Sequence, residues 1–126
     1  MDKKLEQFTN QNYLNLETFR LNGTGVKTPV WFVQDGETLY IRTAKTSGKV
    51  RRVRNNANVN LMACGQNGEP LGTWISAQAC ETSDDAVAEI SRRLLVAKYG
   101  DMVAMFEVRA KADGLEYTVL QIETGE

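Results

Sequence analysis

Apolar residues along this chain follow two patterns. Six short runs have the β-prone composition and alternation of strands, and three stretches place apolar residues at helical spacing. Tyr13, Leu14, Leu16 and Phe19 predict a first strand, ended by the turn-rich LNGTG at 21–25. PVWFV (29–33), QDGE and TLYIRTA (38–44) predict a hairpin turned at Asp35–Gly36. Pro29 lacks an N–H and is expected at the first position of its strand rather than in its middle. VNLMAC (59–64) and TWISAQAC (73–80) predict a second antiparallel pair across the Gly-rich GQNGEPLG, and LEYTVLQIE (115–123) predicts a late strand.

Helical spacing appears first at residues 3–10, with Leu5 and Phe8 on one face. It returns after Ser47, where Val50 and Val53 stand three apart. The longest case is TSDDAVAEISRRLLVAKYG (82–100). There Thr82 or Ser83 is the expected N-cap, Val87, Ile90 and Leu94 the expected buried stripe, and Gly100 the C-cap, with Lys98 favourably placed near the negative end of the dipole. Asp101 to Lys111 reads as another helix, with strand nearly as well supported. The sum is a mainly β protein with a few α-helices, built on a barrel-like sheet of six to seven mostly antiparallel strands. No repeat or linker divides it, so residues 1–126 are expected to form a single domain.

Composition narrows the chemistry. No apolar run approaches the ~20 residues of a membrane span, and MDKKLEQF has no apolar core of the kind a secretory signal needs, so a cytoplasmic location and no membrane partner are expected. Cys64 and Cys80 are too far apart for a CxxC motif, and His is absent. The commonest zinc and haem arrangements and every triad with a His base are thereby excluded. Both cysteines are expected as small buried apolar residues. No residue is assigned a catalytic role and no metal site is expected.

Charge then singles out one segment. LYIRTAKTSGKVRRVRNN (39–56) holds six basic residues and no acid, although the chain has 15 Lys and Arg against 16 Asp and Glu. Outside it, nine basic residues face 16 acids, a net charge of about minus seven, which suits a small anion in a local pocket better than a long nucleic acid. Within TLYIRTA, Leu39, Ile41 and Thr43 point one way, Tyr40 and Arg42 the other. A helix starting at Ser47 offers free amides and the positive end of its dipole; Gly48 permits close approach and Lys49 adds a charge. With Arg42 and Thr43 at the end of the preceding strand, these groups suit a dianionic phosphate. Two other signals carry less. NGTGVKT (22–28) has Val26 where a phosphate loop needs Gly, and lacks a βαβ context. Asp84 and Asp85 are explained by their place in a first helical turn.

TPVWFV (28–33), LYIRT (39–43) and SGKVRRVRNN (47–56), followed by a strand and the GEPLG turn (68–72), together resemble the pyridoxamine 5′-phosphate oxidase-like flavin proteins. The closer resemblance is to their small, deazaflavin-dependent split-barrel branch, from about Tyr13 to the C-terminus. It implies a homodimer of FMN-binding-type split β-barrels with two flavin-type cofactors in grooves at the interface. Thr28, Pro29, Val30 and Trp31 would lie beside the isoalloxazine ring, and Arg42, Thr43, Ser47, Gly48 and Lys49 would hold the phosphate. Arg51 and Arg52 would face either a longer acidic tail or solvent, and Trp74 would either touch the partner's ring or pack in the core. The cofactor would be FMN or the deazaflavin coenzyme F-420. The implied activity is hydride transfer between that cofactor and a small-molecule substrate; the alternative is a protein that stores or senses FMN without catalysis. With no His, the chain offers no obvious grip for a pyridoxal substrate.

Overall fold

The structure, a computed structural model, describes residues 3–124. A 3-10 helix, Lys3–Phe8, precedes β1 (Tyr13–Phe19), β2 (Gly25–Val30), β3 (Val33–Asp35) and β4 (Thr38–Ala44). Then come α1 (Gly48–Asn55), β5 (Asn58–Cys64), β6 (Ile75–Thr82), α2 (Asp85–Tyr99), α3 (Met102–Ala112) and β7 (Tyr117–Glu123). The seven strands form one sheet in the order β2-β1-β5-β6-β7-β4-β3, with every pairing antiparallel. Leu14 and Leu16 of β1 share a core with Leu39 and Ile41 of β4, although these strands stand near opposite ends of the order. The sheet is therefore curled around its inner face, as a split barrel.

The alternation in β4 is observed as expected. Opposite β7, Ile41 pairs with Leu120 and Leu39 with Ile122, and all four side chains are fully buried in the inner core. Each such residue stabilises the fold by about 1.5–3 kcal/mol through removal from water. Val50 and Val53 of α1 close the same core, alongside Leu5 and Phe8 of the 3-10 helix. The opposite face of β4 and β7 is covered by α2 and α3, where Tyr40 and Val119 meet Leu95 and Val103.

Five local expectations are corrected. PVWFV is not one strand: β2 pairs with β1 up to Val30, the chain bends at Trp31–Phe32, and only Val33–Asp35 forms the hairpin with β4. The bend is held from α2. The Tyr99 hydroxyl accepts the Phe32 N–H at 3.1 Å and shares its proton between the carbonyls of Phe32 (3.0 Å) and Asn12 (2.8 Å). Lys98 Nζ donates to the Phe32 carbonyl at 2.8 Å. The backbone groups lost to the ladder thus find side-chain partners. Pro29 is the penultimate residue of β2, not its first; this is tolerated because β2 is the edge strand and needs no N–H on its outer side.

In α2 the N-cap is Asp84, whose Oδ1 accepts from the Ala86 N–H at 2.8 Å, while Thr82 accepts from the Asp84 N–H. The buried stripe of α2 is Ser91 and Leu95; Val87 and Leu94 are half-buried and Ile90 is exposed. Residues 102–112 are helix, which resolves the ambiguity there. Cys64 is buried as expected, but Cys80, on the outward face of β6, is exposed; both are free thiols. Among the described residues no helix is long and apolar enough to cross a membrane.

Candidate functional site

The bend at Trp31 opens a cleft between the barrel and the α2–α3 pair. It encloses about 250 Å3, and its wall includes Val30, Trp31, Arg42, Thr43, Phe106 and Tyr117. Lys49, from the first turn of α1, and Leu95 complete it. Trp31 is held from two sides. Its ring stacks on Tyr99 at 4.0 Å with planes 7° apart, and Phe106 meets it edge-on at 5.3 Å. Stacked and edge-to-face contacts of this kind fix ring orientation as well as adding burial.

The polar end of the cleft is built where β4 gives way to α1. Ser47 is the N-cap residue in extended conformation, but its side chain makes no capping bond; instead Thr43 Oγ1 lies 3.5 Å from Ser47 Oγ. The first-turn amides of α1 are thus left without a side-chain cap. Lys49 is held below its ordinary pKa by burial and, second, by the Arg52 guanidinium, and no carboxylate pairs with it among the described residues. Two hydroxyls, uncapped amides and an ammonium short of a counter-ion are donor types that suit an anion.

Arg42 is engaged by two neighbours. Its Nη1 donates to Glu107 Oε2 of α3 at 2.6 Å, and its guanidinium lies 4.3 Å from the centre of the Tyr117 ring. Glu107 is also gripped by Arg92 of α2 through two bonds of 2.9 Å. That fork is the main reason the Glu107 carboxyl is held down at about 2; burial opposes it and the Arg42 contact adds to it. A carboxylate therefore already occupies one edge of the Arg42 fork.

The remaining predicted residues lie outside this cleft. Thr28 of β2 pairs with Leu16 of β1, and Pro29 lies against Gly68, where an added side-chain carbon would come within 3.4 Å of the proline ring. Beside Gly48, the space a side chain would take is filled by the Arg52 guanidinium, 2.7 Å from the Cβ position. Arg52 itself turns away and donates from Nε to Thr18 Oγ1 at 2.6 Å. Trp74 is 39% exposed, in neither core cluster, with Lys27 Nζ 5.4 Å from its ring centre. Sequence reasoning missed Leu95, Phe106 and Tyr117. Tyr117 was within reach, since Arg42 opposes Val119 and alternation puts residue 117 on the same face. Phe106 and Glu107 gave no signal, because α3 carries apolar residues on all sides.

No group of three or more Cys, Asp or Glu side chains that could hold a metal is present among the described residues. The family model described as pyridoxamine 5′-phosphate oxidase matches residues 1–126. The chain belongs to the pyridoxamine 5′-phosphate oxidase family. No curated protein matches its sequence significantly. Solved structures share the fold at low identity. The heme storage protein HutZ from Vibrio cholerae is 16% identical, with a TM-score of 0.72, covering 98% of this chain and 89% of that one. An F420 reductase is 16% identical, with a TM-score of 0.62, covering 100% and 97%. A FAD-binding protein from Mesorhizobium loti is 14% identical, with a TM-score of 0.67, covering 100% and 91%. The seven-stranded sheet is thus the split barrel of this family.

Proposed function

We propose that this chain is a cytoplasmic flavin- or deazaflavin-dependent oxidoreductase that binds FMN, or alternatively coenzyme F-420, in the Trp31 cleft. The single observation that carries the reading is the state of Lys49: a partly buried ammonium with no carboxylate partner among the described residues, in the first turn of α1 after Ser47, on the wall of an apolar slot that Thr43 shares. These groups fit a phosphate, and Val30, Trp31 and Phe106 fit the ring it carries. When bound, such a cofactor supplies the redox chemistry, giving or taking a hydride at its ring.

The chain's own residues do the rest. Thr43, Ser47 and Lys49 hold the phosphate, and the Arg42 fork keeps Nε and Nη2 to offer beyond its Nη1 contact with Glu107. Trp31, clamped by Tyr99 and Phe106, sets the tilt of the ring, and Leu95 and Phe106 keep water off it. The volume of about 250 Å3 falls below the ~300–1,000 Å3 usual for small-molecule sites. Met102, Met105 and Val108 leave α3 apolar and exposed beside it. Both features support a homodimer in which a second copy completes the cleft.

The test is an absorbance spectrum of the purified protein followed by separate titrations with FMN and F-420. Saturable binding of one of them at one per chain, weakened in Lys49→Ala, is the expected result. Failure to bind either removes the reading. Steady turnover with an electron donor and acceptor separates the enzyme from a protein that only stores or senses the cofactor. A monomer that still binds tightly in sedimentation would remove the dimer.

A further inference from the structure

A second cavity, about 520 Å3 and so larger than the Trp31 cleft, lies between the turn joining β1 to β2 and the outer side of α1. Phe19, Arg20, Leu21, Asn22, Arg51 and Arg52 line it. Three guanidiniums reach this space from two elements distant in sequence. They are close enough to oppose one another: after burial, Arg20 and Arg51 are the causes that lower the Arg52 pKa. Elsewhere the chain spends its acids on its arginines, pairing Arg42 and Arg92 with Glu107, and Arg54 with Glu81. Among the described residues no carboxylate pairs with Arg20, Arg51 or Arg52. A shortage of acids is not the reason, since 16 are present.

The helix dipole favours basic residues in the last turn of α1, and Arg54 fits that explanation. It leaves Arg20 unexplained, which comes from the end of β1 and brings like charge to like. Arg52 is also positioned rather than loose. The buried Thr18 hydroxyl takes its Nε, and its Nη1 lies against Gly48. Planar forks in fixed places match phosphate oxygens in pairs, and three of them exceed what one phosphate needs. The apolar part of the wall, Phe19 with the 89% exposed Leu21, suits a ring attached to those phosphates.

We propose that this cavity is a second anion site, separate from the Trp31 cleft, for a ligand with adjacent phosphates on a ring-bearing body, as in a nucleoside diphosphate. Lys49 and Thr43 open on the other cleft, so both sites can be filled at once. The chain outside residues 39–56 is net acidic, which favours a compact ligand over a polynucleotide.

Calorimetric titration of the full chain with ADP, with inorganic pyrophosphate and with a short single-stranded oligonucleotide tests this, with and without saturating FMN and at fixed salt. ADP is expected to bind at one per chain and more tightly than pyrophosphate, with FMN leaving its affinity unchanged. Arg20→Ala and Arg51→Ala should each weaken ADP about tenfold or more, and Arg51→Lys, which keeps the charge but not the fork, should weaken it less. Both residues are on the surface, and unchanged thermal melting checks that the variants fold. No saturable ADP binding, or binding indifferent to both alanine variants, overturns the proposal. Competition between ADP and FMN overturns the separateness of the site, and equal affinity for ADP and pyrophosphate overturns the role of the ring. An oligonucleotide that binds more tightly than ADP, with steep salt dependence, makes the patch a nucleic-acid surface instead.

Discussion

Strand β4 is packed by different rules on its two faces. On the inner face, Leu39 and Ile41 meet Leu120, Ile122 and the valines of α1 in one apolar core. On the outer face, Tyr40 and Arg42 meet the α2–α3 pair, where Arg42, Glu107 and Arg92 form an ionic contact and Phe106 stays 42% exposed. The inner face is closed and apolar; the outer face is half-open and joined by ionic contacts. The cleft opens beside the second kind of surface, where polar groups and open apolar area are found together.

The largest expected effect separates the two faces directly. Ile41→Ala, inside the barrel, should cost about 2–5 kcal/mol of stability. Phe106→Ala, on the half-open layer, should cost about 1 kcal/mol or less, while weakening cofactor binding. Urea unfolding of both variants measures the contrast, and equal losses would mean that the layers are packed alike. Next is Lys49→Ala, expected to reduce cofactor affinity about tenfold to a hundredfold with little change in stability; fluorescence titration reads it.

Third is acid sensitivity of the outer face. The Glu107 pKa is depressed from 4.5 to about 2, so the stability it contributes is present above pH 4.5 and is lost as pH falls from there towards 2. With screening at the half-exposed Arg92, the loss is on the order of 1–2 kcal/mol. In Glu107→Gln this part of the pH dependence should vanish while cofactor affinity rises, because the carboxylate leaves Arg42. Unchanged acid unfolding in that variant would remove the ionic contact from the account. The smallest effect concerns Lys98, whose pKa is lowered by burial to about 8. The folded state disfavours its ammonium, so stability should rise slightly as pH increases from 8 towards 10.5, and Lys98→Met should remove that slope in parallel thermal melts.

Much of this architecture was legible residue by residue. Alternation in TLYIRTA showed the faces of β4, the Asp35–Gly36 pair marked the hairpin, whose turn residues are Gly36 and Glu37, and Ser47–Gly48 marked the start of α1. Other details were not. Thr82, Ser83 and Asp84 are all competent caps, and the choice of Asp84 depends on where α2 docks. Residues 101–111 showed no clear period because α3 buries Val103 and Ala110 while exposing Met102, Met105 and Val108. The break at Trp31–Phe32 was invisible because its backbone partners, Lys98 and Tyr99, lie more than sixty residues away.

The basic segment shows where the two sources of information divide. Local sequence alone determined that six cations, a cap residue and a glycine would gather at the junction of a strand and a short helix. These are properties of neighbours in the chain, set by strand alternation and helix-end chemistry. Tertiary structure decided which cations remain without acid partners. It brought Glu107 to Arg42 and Glu81 to Arg54, left Lys49 facing the cleft, and turned Arg51 and Arg52 towards Arg20. The reason is physical: a charge is neutralised by whatever the fold places within a few ångströms of it, and at that range the chain's connectivity carries no information.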